Sequence, residues 1–335
     1  MTTAQHSGNV LDDTIRAYLD DLRIEPEEDL IQVGDRILEA ANLTSLRAEL
    51  STALYDLWHA GTSGRGAKRV IPRRDAALER ELTAATPQRL AAVPGTVGAL
   101  QNGDDTNHGV VEVNRVRVLV PADNVSGLAP GATVLLDLPA VRPMLSPGFF
   151  FAIGTAGGTD GGAVLRFYVH LTAAEYAPAV WHTVLNLLES RGARYRAKVL
   201  SRSDAYPRRD AVVVYLPEES WGHVPDLAQA LDGAAGLGVA TSVLAYRIGP
   251  GRAMAWEPAD DRPGWRRMSF GQHRSMAVAR GVVRHVSDDM PLYQAVAEEL
   301  TAAGADPARP SRNLDSAAFP ETYPTGPARL AAVPV

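Results

Sequence analysis

Residues 164–216 limit the folds open to this chain more than any other stretch. Val164-Leu-Arg-Phe-Tyr-Val-His170 alternates as a strand does, with Arg166, Tyr168 and His170 on one face and Phe167 and Val169 on the other. Thr172 with Glu175 three residues on reads as a capping box. The helix it opens carries Tyr176, Val180, Val184, Leu187 and Leu188 and ends at Gly192. Arg194-Tyr-Arg-Ala-Lys-Val-Leu200 is a second strand, 201–209 a turn, and Asp210-Ala-Val-Val-Val-Tyr-Leu216 a third strand. A helix over 223–233 follows. This order predicts an α+β fold, with helices layered on one side of a mixed or antiparallel sheet.

The second strand holds an anomaly. Lysine occurs only at 68 and 198, while arginine supplies the rest of the positive charge. Arg194, Arg196 and Lys198 share one strand face, and three cations there repel one another unless an anion sits among them. If the helix covers the apolar face, the other face also carries Arg166 and His170. A solvated charged face is the competing reading. Lysine favours function, because it can lose its proton when crowded by cations and arginine cannot.

Overall composition bounds the chemistry. The 335 residues carry a net charge of −6, which argues against a bulk electrostatic grip on nucleic acid or anionic lipid. An anion site must therefore be a local concentration of arginine. Cysteine is absent, so disulfides, thiolate catalysis and cysteine-ligated zinc are excluded. The first residues lack the pattern of a signal peptide, and no run reaches the ~18 apolar residues of a membrane helix. The expectation is a cytoplasmic protein with no membrane partner.

Residues 1–95 read as a mostly helical N-terminal region, 96–324 as an α+β core and 325–335 as an irregular tail. Within the first region, 1–10 are polar and expected to be disordered, and 11–23, 27–39, 43–59 and 74–92 read as amphipathic helices. Gly61-Thr-Ser-Gly-Arg-Gly-Ala-Lys-Arg69 is a basic glycine-rich loop without the ending of a phosphate loop. Short strands are expected at 109–120 and 134–138, and Ser146-Pro-Gly-Phe-Phe-Phe-Ala-Ile-Gly154 as a buried strand. The glycine-rich run 154–162 reads as a flexible tip or lid. Ser269-Phe-Gly-Gln-His-Arg274 reads as a loop entering a helix that continues to about 285, with His273 and Arg274 in its first turn, where backbone N–H groups favour an anion. A last helix spans 291–303, before a Pro-rich end from Asp306.

No metal signature, no nucleophile elbow and no dinucleotide-binding glycine pattern is present in the right context, so neither metal nor cofactor is expected. The sequence offers a base (Lys198), candidate acids (His170, His273, Tyr206) and many arginines. That set suits removal of a proton next to a carbonyl with loss of phosphate: an amine takes the Cα proton, and arginines hold the phosphate as its charge develops.

Arg166-Phe-Tyr-Val-His-Leu-Thr-Ala-Ala-Glu175, Ala197-Lys-Val-Leu200, Tyr206-Pro-Arg-Arg-Asp-Ala-Val-Val-Val-Tyr215 and Ser269-Phe-Gly-Gln-His-Arg274 resemble the Hop-type (HopA) effector domain family. Ser146-Pro-Gly-Phe149 and Asp306-Pro-Ala-Arg-Pro310 resemble its other landmarks, so the likeness spreads from about 50 to 324. The family takes its name from a secreted plant-pathogen effector. It recurs in actinobacterial gene clusters for class V lanthipeptides and thioamitides. The resemblance implies a metal-independent phosphoserine/phosphothreonine lyase. A separate phosphotransferase-like kinase would phosphorylate Ser or Thr of a precursor peptide, and this chain would eliminate the phosphate to leave dehydroalanine or dehydrobutyrine. It marks Lys198, Arg208, Asp210 and Gln272-His-Arg274. The expected site then has Lys198 as base, His273 or Tyr206 as acid, Asp210 as an orienting group or a strand cap, and Arg166, Arg196, Arg208 and Arg274 as phosphate ligands. Two other readings stand beside it: a non-catalytic peptide-binding scaffold, and a secreted effector acting on host proteins.

Overall fold

The computed structural model describes residues 11–25, 30–39, 41–62, 74–98, 108–143, 145–159, 161–266 and 268–317. Lys68 and most of the glycine-rich loop around it lie outside the described residues. So do residues 1–10 and the tail from 318.

The chain begins with α1 (Asp13–Asp20), whose N-cap Asp12 accepts hydrogen bonds from the Thr14 and Ile15 amides and whose Ile15 and Leu19 are buried. A small antiparallel sheet follows, β1 (Arg23–Glu25), β2 (Leu30–Val33) and β3 (Arg36–Glu39). This corrects the helix expected over 27–39. Ile31 and Val33 are buried at a spacing of two, and Gly34, at φ 58°, makes the turn with Asp35. Next come α2 (Leu43–Leu54) and, continuing it, a π-turn at Tyr55–Ala60. Then α3 (Ala76–Ala85) ends earlier than expected. Thr86 precedes Pro87 and is already extended at φ −82°, ψ 117°, as the proline ring requires.

β4 (Leu90–Val97), β5 (His108–Val113), β6 (Val116–Pro121) and β7 (Thr133–Pro139) form a separate antiparallel sheet in the order β6-β5-β4-β7. It closes over its own core of Val93, Val97, Val111, Val113, Val120, Val125 and Leu136.

The main sheet contains β8 (Phe149–Ile153), β9 (Val164–Leu171), β10 (Arg196–Leu200), β11 (Arg208–Pro217), β12 (Tyr246–Gly249) and β13 (Arg252–Trp256). Its order is β12-β13-β9-β11-β10-β8, with every neighbouring pair antiparallel. The remaining helices are α4 (Ala177–Ser190), α5 (Val224–Ala230), α6 (Phe270–Asp288) and α7 (Leu292–Ala302). The fold is α+β, as expected.

Helices cover both faces of this sheet, not one. On one face Phe150, Phe167, Val169, Ala197, Val199, Val212 and Val214 pack with Trp181, Val184, Leu185 and Leu188 of α4. On the other, Phe151, Tyr168, Val213, Tyr215, Ala253 and Ala255 share a core with Leu50 and Leu54 of α2, Trp58, and Phe270, Val278 and Val282 of α6. Each buried valine, leucine and phenylalanine among them gains roughly 1.5–3 kcal/mol on leaving water, which fixes the sheet between its two helical layers. The expected capping box at Thr172 also gives way. The Thr172 hydroxyl donates to the Gly236 carbonyl, and α4 starts only after a 3-10 turn, with proline in its first turn. Among the described residues no helix is long and apolar enough to cross a membrane.

Candidate functional site

Register decides which side chains meet. Across the main sheet Ala255, Arg166, Tyr215, Arg196 and Ile153 stand opposite one another, and the next same-face row is Ala253, Tyr168, Val213, Lys198 and Phe151. Directly opposed residues share a face, so Arg166, Arg196, Lys198 and Tyr215 project to the same side. It is the side covered by α2, the π-turn and α6, but Phe149, Ile153, Arg196 and Lys198 are only half-buried.

Two aromatic rings organise the cations. Around Tyr215 the Arg166, Arg196 and Lys198 charges lie 4.9, 5.4 and 5.9 Å from the ring centroid. Around Phe149, Lys198 Nζ lies at 4.2 Å and the Arg208 guanidinium at 5.8 Å. These are cation–π distances, and aromatic faces offset part of the cost of desolvating the charges. Among the described residues, carboxylates form ion pairs with two of the four. Glu257 grips buried Arg166 through Nε and Nη2. Asp210 accepts from Arg208 Nε and Nη2 at 2.7 and 2.8 Å. Among the described residues Lys198 makes no hydrogen bond or ion pair, and Arg196 Nε is buried without a partner. The patch therefore carries an excess of positive charge at a half-open surface.

Sequence reasoning missed the residues that complete this face. The Tyr55 hydroxyl accepts a hydrogen bond from Arg208 Nη2 at 2.9 Å. His59 lies 3.8 Å from Asp210 through Nε2 and 2.9 Å from Ser242 Oγ through Nδ1. Both belong to the π-turn, and such turns recur at functional sites. β11 is built to receive them. Its register slips between Arg208 and Val212, a bulge that aims Arg208 and Arg209 at the π-turn. Arg209 donates to the Leu57 and Trp58 carbonyls at 3.0 and 3.2 Å, tying off the end of that turn. No periodicity marks Tyr55 or His59 as more than helix residues, and the bulge that recruits them lies some 150 residues away.

Electrostatics follow from burial and these pairs. Burial alone would raise the Asp210 carboxyl, but Arg208, His59 and Lys198 hold it below the usual carboxylate range. Burial pushes His59 down to about 4 despite Asp210, so its imidazole is neutral near pH 7. Burial, then Asp210, pushes the Tyr55 phenol up to about 12, so it stays protonated.

The other expected site residues are placed elsewhere. Arg274 is fully buried: it donates to the Pro310 and Arg312 carbonyls, to Asn313 Oδ1 and to His273 Nδ1. A phosphate at the surface cannot reach it, so it fastens the C-terminal segment 310–313. Since a guanidinium only donates, His273 Nδ1 accepts, and Nε2 carries the proton given to Asp260 at 3.0 Å. His273 is thus spent on both sides. Tyr206 gives its hydroxyl to the Leu200 carbonyl at 2.8 Å and packs with the opposite core. Arg194 precedes β10 and donates to Glu219. His170 is held against the Ala240 carbonyl. The glycine-rich run is no loose lid over 154–159. Gly154 and Gly157 pair with each other and both bond to Tyr195, and a side chain at Gly154 would meet the Tyr195 ring. Among the described residues no three His, Asp or Glu side chains gather where they could hold a metal ion.

The motif Ser269-Phe-Gly-Gln-His-Arg274 now has a structural account. Ser269 and Gln272 form the capping box of α6, and Phe270 packs on His59 and Tyr168. Gly271 leaves room for the His59 ring, which a Cβ there would approach to 2.2 Å. The model of the HopA1 effector protein family matches residues 140–312, more than half of the chain. The chain belongs to that family. Two solved structures are similar to it. The effector protein from Pseudomonas syringae pv. tomato strain DC3000 is 16% identical over 81% of this chain and 95% of that one, with a TM-score of 0.47. The effector from Pseudomonas syringae pv. syringae strain 61 is 12% identical over the same shares, with a TM-score of 0.46. No curated protein matches. The HopA1 match contains Lys198, Arg208 and Asp210, whereas Tyr55 and His59 precede it.

Proposed function

We propose that this protein is a phosphoserine/phosphothreonine lyase acting on a precursor peptide that a phosphotransferase-like kinase has phosphorylated. One observation carries the reading: on a half-open sheet face lined by Phe149 and Tyr215, two cations make no ion pair among the described residues, and one of them is a lysine. A phosphate ester supplies the missing anion, and a lysine beside it can act as base on the adjacent carbon.

In this reading Arg196 and Arg208 hold the phosphate, and Asp210 fixes the Arg208 fork. Arg166 adds positive potential from behind Tyr215 while its own donors stay with Glu257. Lys198 Nζ removes the Cα proton. The C–H pair becomes the second bond between Cα and Cβ, and the C–O pair leaves with phosphate. The product is dehydroalanine from phosphoserine and dehydrobutyrine from phosphothreonine.

The test incubates the full chain with a synthetic phosphothreonine peptide and follows the product by mass spectrometry. Loss of phosphoric acid supports the reading. Equal binding of the phosphorylated and plain peptides without elimination would instead indicate a scaffold. The family's description as effectors favours a second reading for the substrate, a protein of another cell bearing the same phosphoamino acids.

A further inference from the structure

We infer that the phenolic O–H of Tyr55 is the proton donor to the leaving phosphate, a step that rests on the lyase reading. The groups expected to serve as acid are committed: His273 between Arg274 and Asp260, and Tyr206 to the Leu200 carbonyl. His59 is 3% exposed, with one ring nitrogen at Ser242 and the other facing Asp210. Tyr55 differs from all of them. It is half-buried beside the cation patch, and its one described hydrogen bond is accepted from Arg208. A guanidinium has no acceptor, so this bond uses an oxygen lone pair and leaves the phenol hydrogen uncommitted.

The arrangement is contiguous. Arg208 touches the Tyr55 oxygen and stands 5.8 Å from the Phe149 ring, whose face also carries Lys198 at 4.2 Å. A phosphate held by Arg208 thus lies between the proposed base and a phenol. The same phosphate feels Arg196 from across Tyr215.

The chemistry balances. Lys198 takes the Cα proton, the C–H pair forms the alkene, and the C–O pair departs on the bridging oxygen. From a dianionic ester the departing group is a phosphate trianion, a base strong enough to take a proton from a phenol. It leaves as hydrogen phosphate, and water returns the proton to Tyr55. Arg208, already on the oxygen, stabilises the transient phenolate.

The experiment compares peptides bearing phosphothreonine and O-sulfothreonine at saturating concentration, because sulfate is a far weaker base and leaves without a proton. Tyr55→Phe is expected to lower kcat on the phosphate ester by about 100-fold with little change in KM, and to cost far less on the sulfate ester. Lys198→Arg should fail on both. Fluorotyrosine at position 55, which keeps ring and hydroxyl but makes it more acidic, should change only the phosphate rate and covers the case in which Tyr55→Phe folds poorly. Equal loss on both esters, or no loss on either, overturns the assignment. So does a leaving-group-dependent loss in Tyr215→Phe in place of Tyr55→Phe. A wild-type chain that eliminates neither group removes the lyase reading itself.

Discussion

Lys198 and Arg196 are two residues apart on one strand, yet they are predicted to fail differently. Arg196→Ala removes a phosphate ligand, so it should weaken phosphopeptide binding by roughly 1.5–3 kcal/mol, about 10- to 100-fold, while elimination at saturation persists. Isothermal titration with the phosphopeptide and with inorganic phosphate checks this. A loss of kcat with unchanged affinity would contradict it. Asp210 acts one step back. Asp210→Asn leaves Arg208 without its charged partner and buries an amide beside it, which should cost stability as well as binding. Lys198 was visible in the sequence because lysine is rare here and a strand face exposes the company it keeps. The burial of Arg274 was not visible. Position in the first turn of a helix says nothing about depth, and depth set its role.

At the scale of elements, close backbone approach decides the effect of substitutions. Gly281 sits within α6, where alanine in its place would ordinarily gain about 1 kcal/mol of helix propensity. A Cβ there, however, would stand 2.4 Å from Val296 Cα of α7. That clash is with backbone, and overpacking costs roughly 1–3 kcal/mol, so Gly281→Ala is predicted to destabilise. A higher melting temperature would contradict the packing described. On the opposite face Leu185→Ala in α4 should cost about 2–5 kcal/mol, since Leu185 is fully buried against the sheet. The strands over 164–216 and the helices after 172 were legible because one apolar period runs through each, whereas β12 and β13 were not read from the sequence. The hairpin of β2 and β3 was not, because four-residue strands are too short for a period-two pattern to stand out from a helical one. The π-turn was hidden for another reason: it continues α2 without a break in composition, and the bulge in β11 that it meets is a tertiary feature.

For the molecule as a whole, the layer over the sheet couples the site to stability. His59 joins the N-terminal helices to the sheet face, and His273 joins α6 to the 260 loop and, through Arg274, to the C-terminal segment. Burial, with the Arg274 charge in the case of His273, depresses both imidazoles from 6.5 to about 4. The unfolded chain therefore binds more protons than the folded one between these values. The contribution is complete above about 6.5 and is lost as pH falls toward 4, on the order of 3 kcal/mol for each histidine. Thermal denaturation followed from neutral pH down to about 4 should show a steep fall in melting temperature, and His273→Gln should flatten it. Asp210 and Asp260, held below the usual carboxylate range, add their own loss only at lower pH. A melting temperature level across the upper window would contradict the placement of these histidines.

In the proposed reaction Lys198 is a base and not merely one more positive charge. Lys198→Arg keeps the charge and the strand while removing any group able to take a proton at neutral pH. The direct measurement is single-turnover elimination on a phosphothreonine peptide, read by mass spectrometry, with peptide affinity measured in parallel. Affinity within a few-fold of wild type and a rate lower by about 100-fold or more are expected. An arginine variant that binds the peptide and eliminates phosphate at the wild-type rate would contradict it.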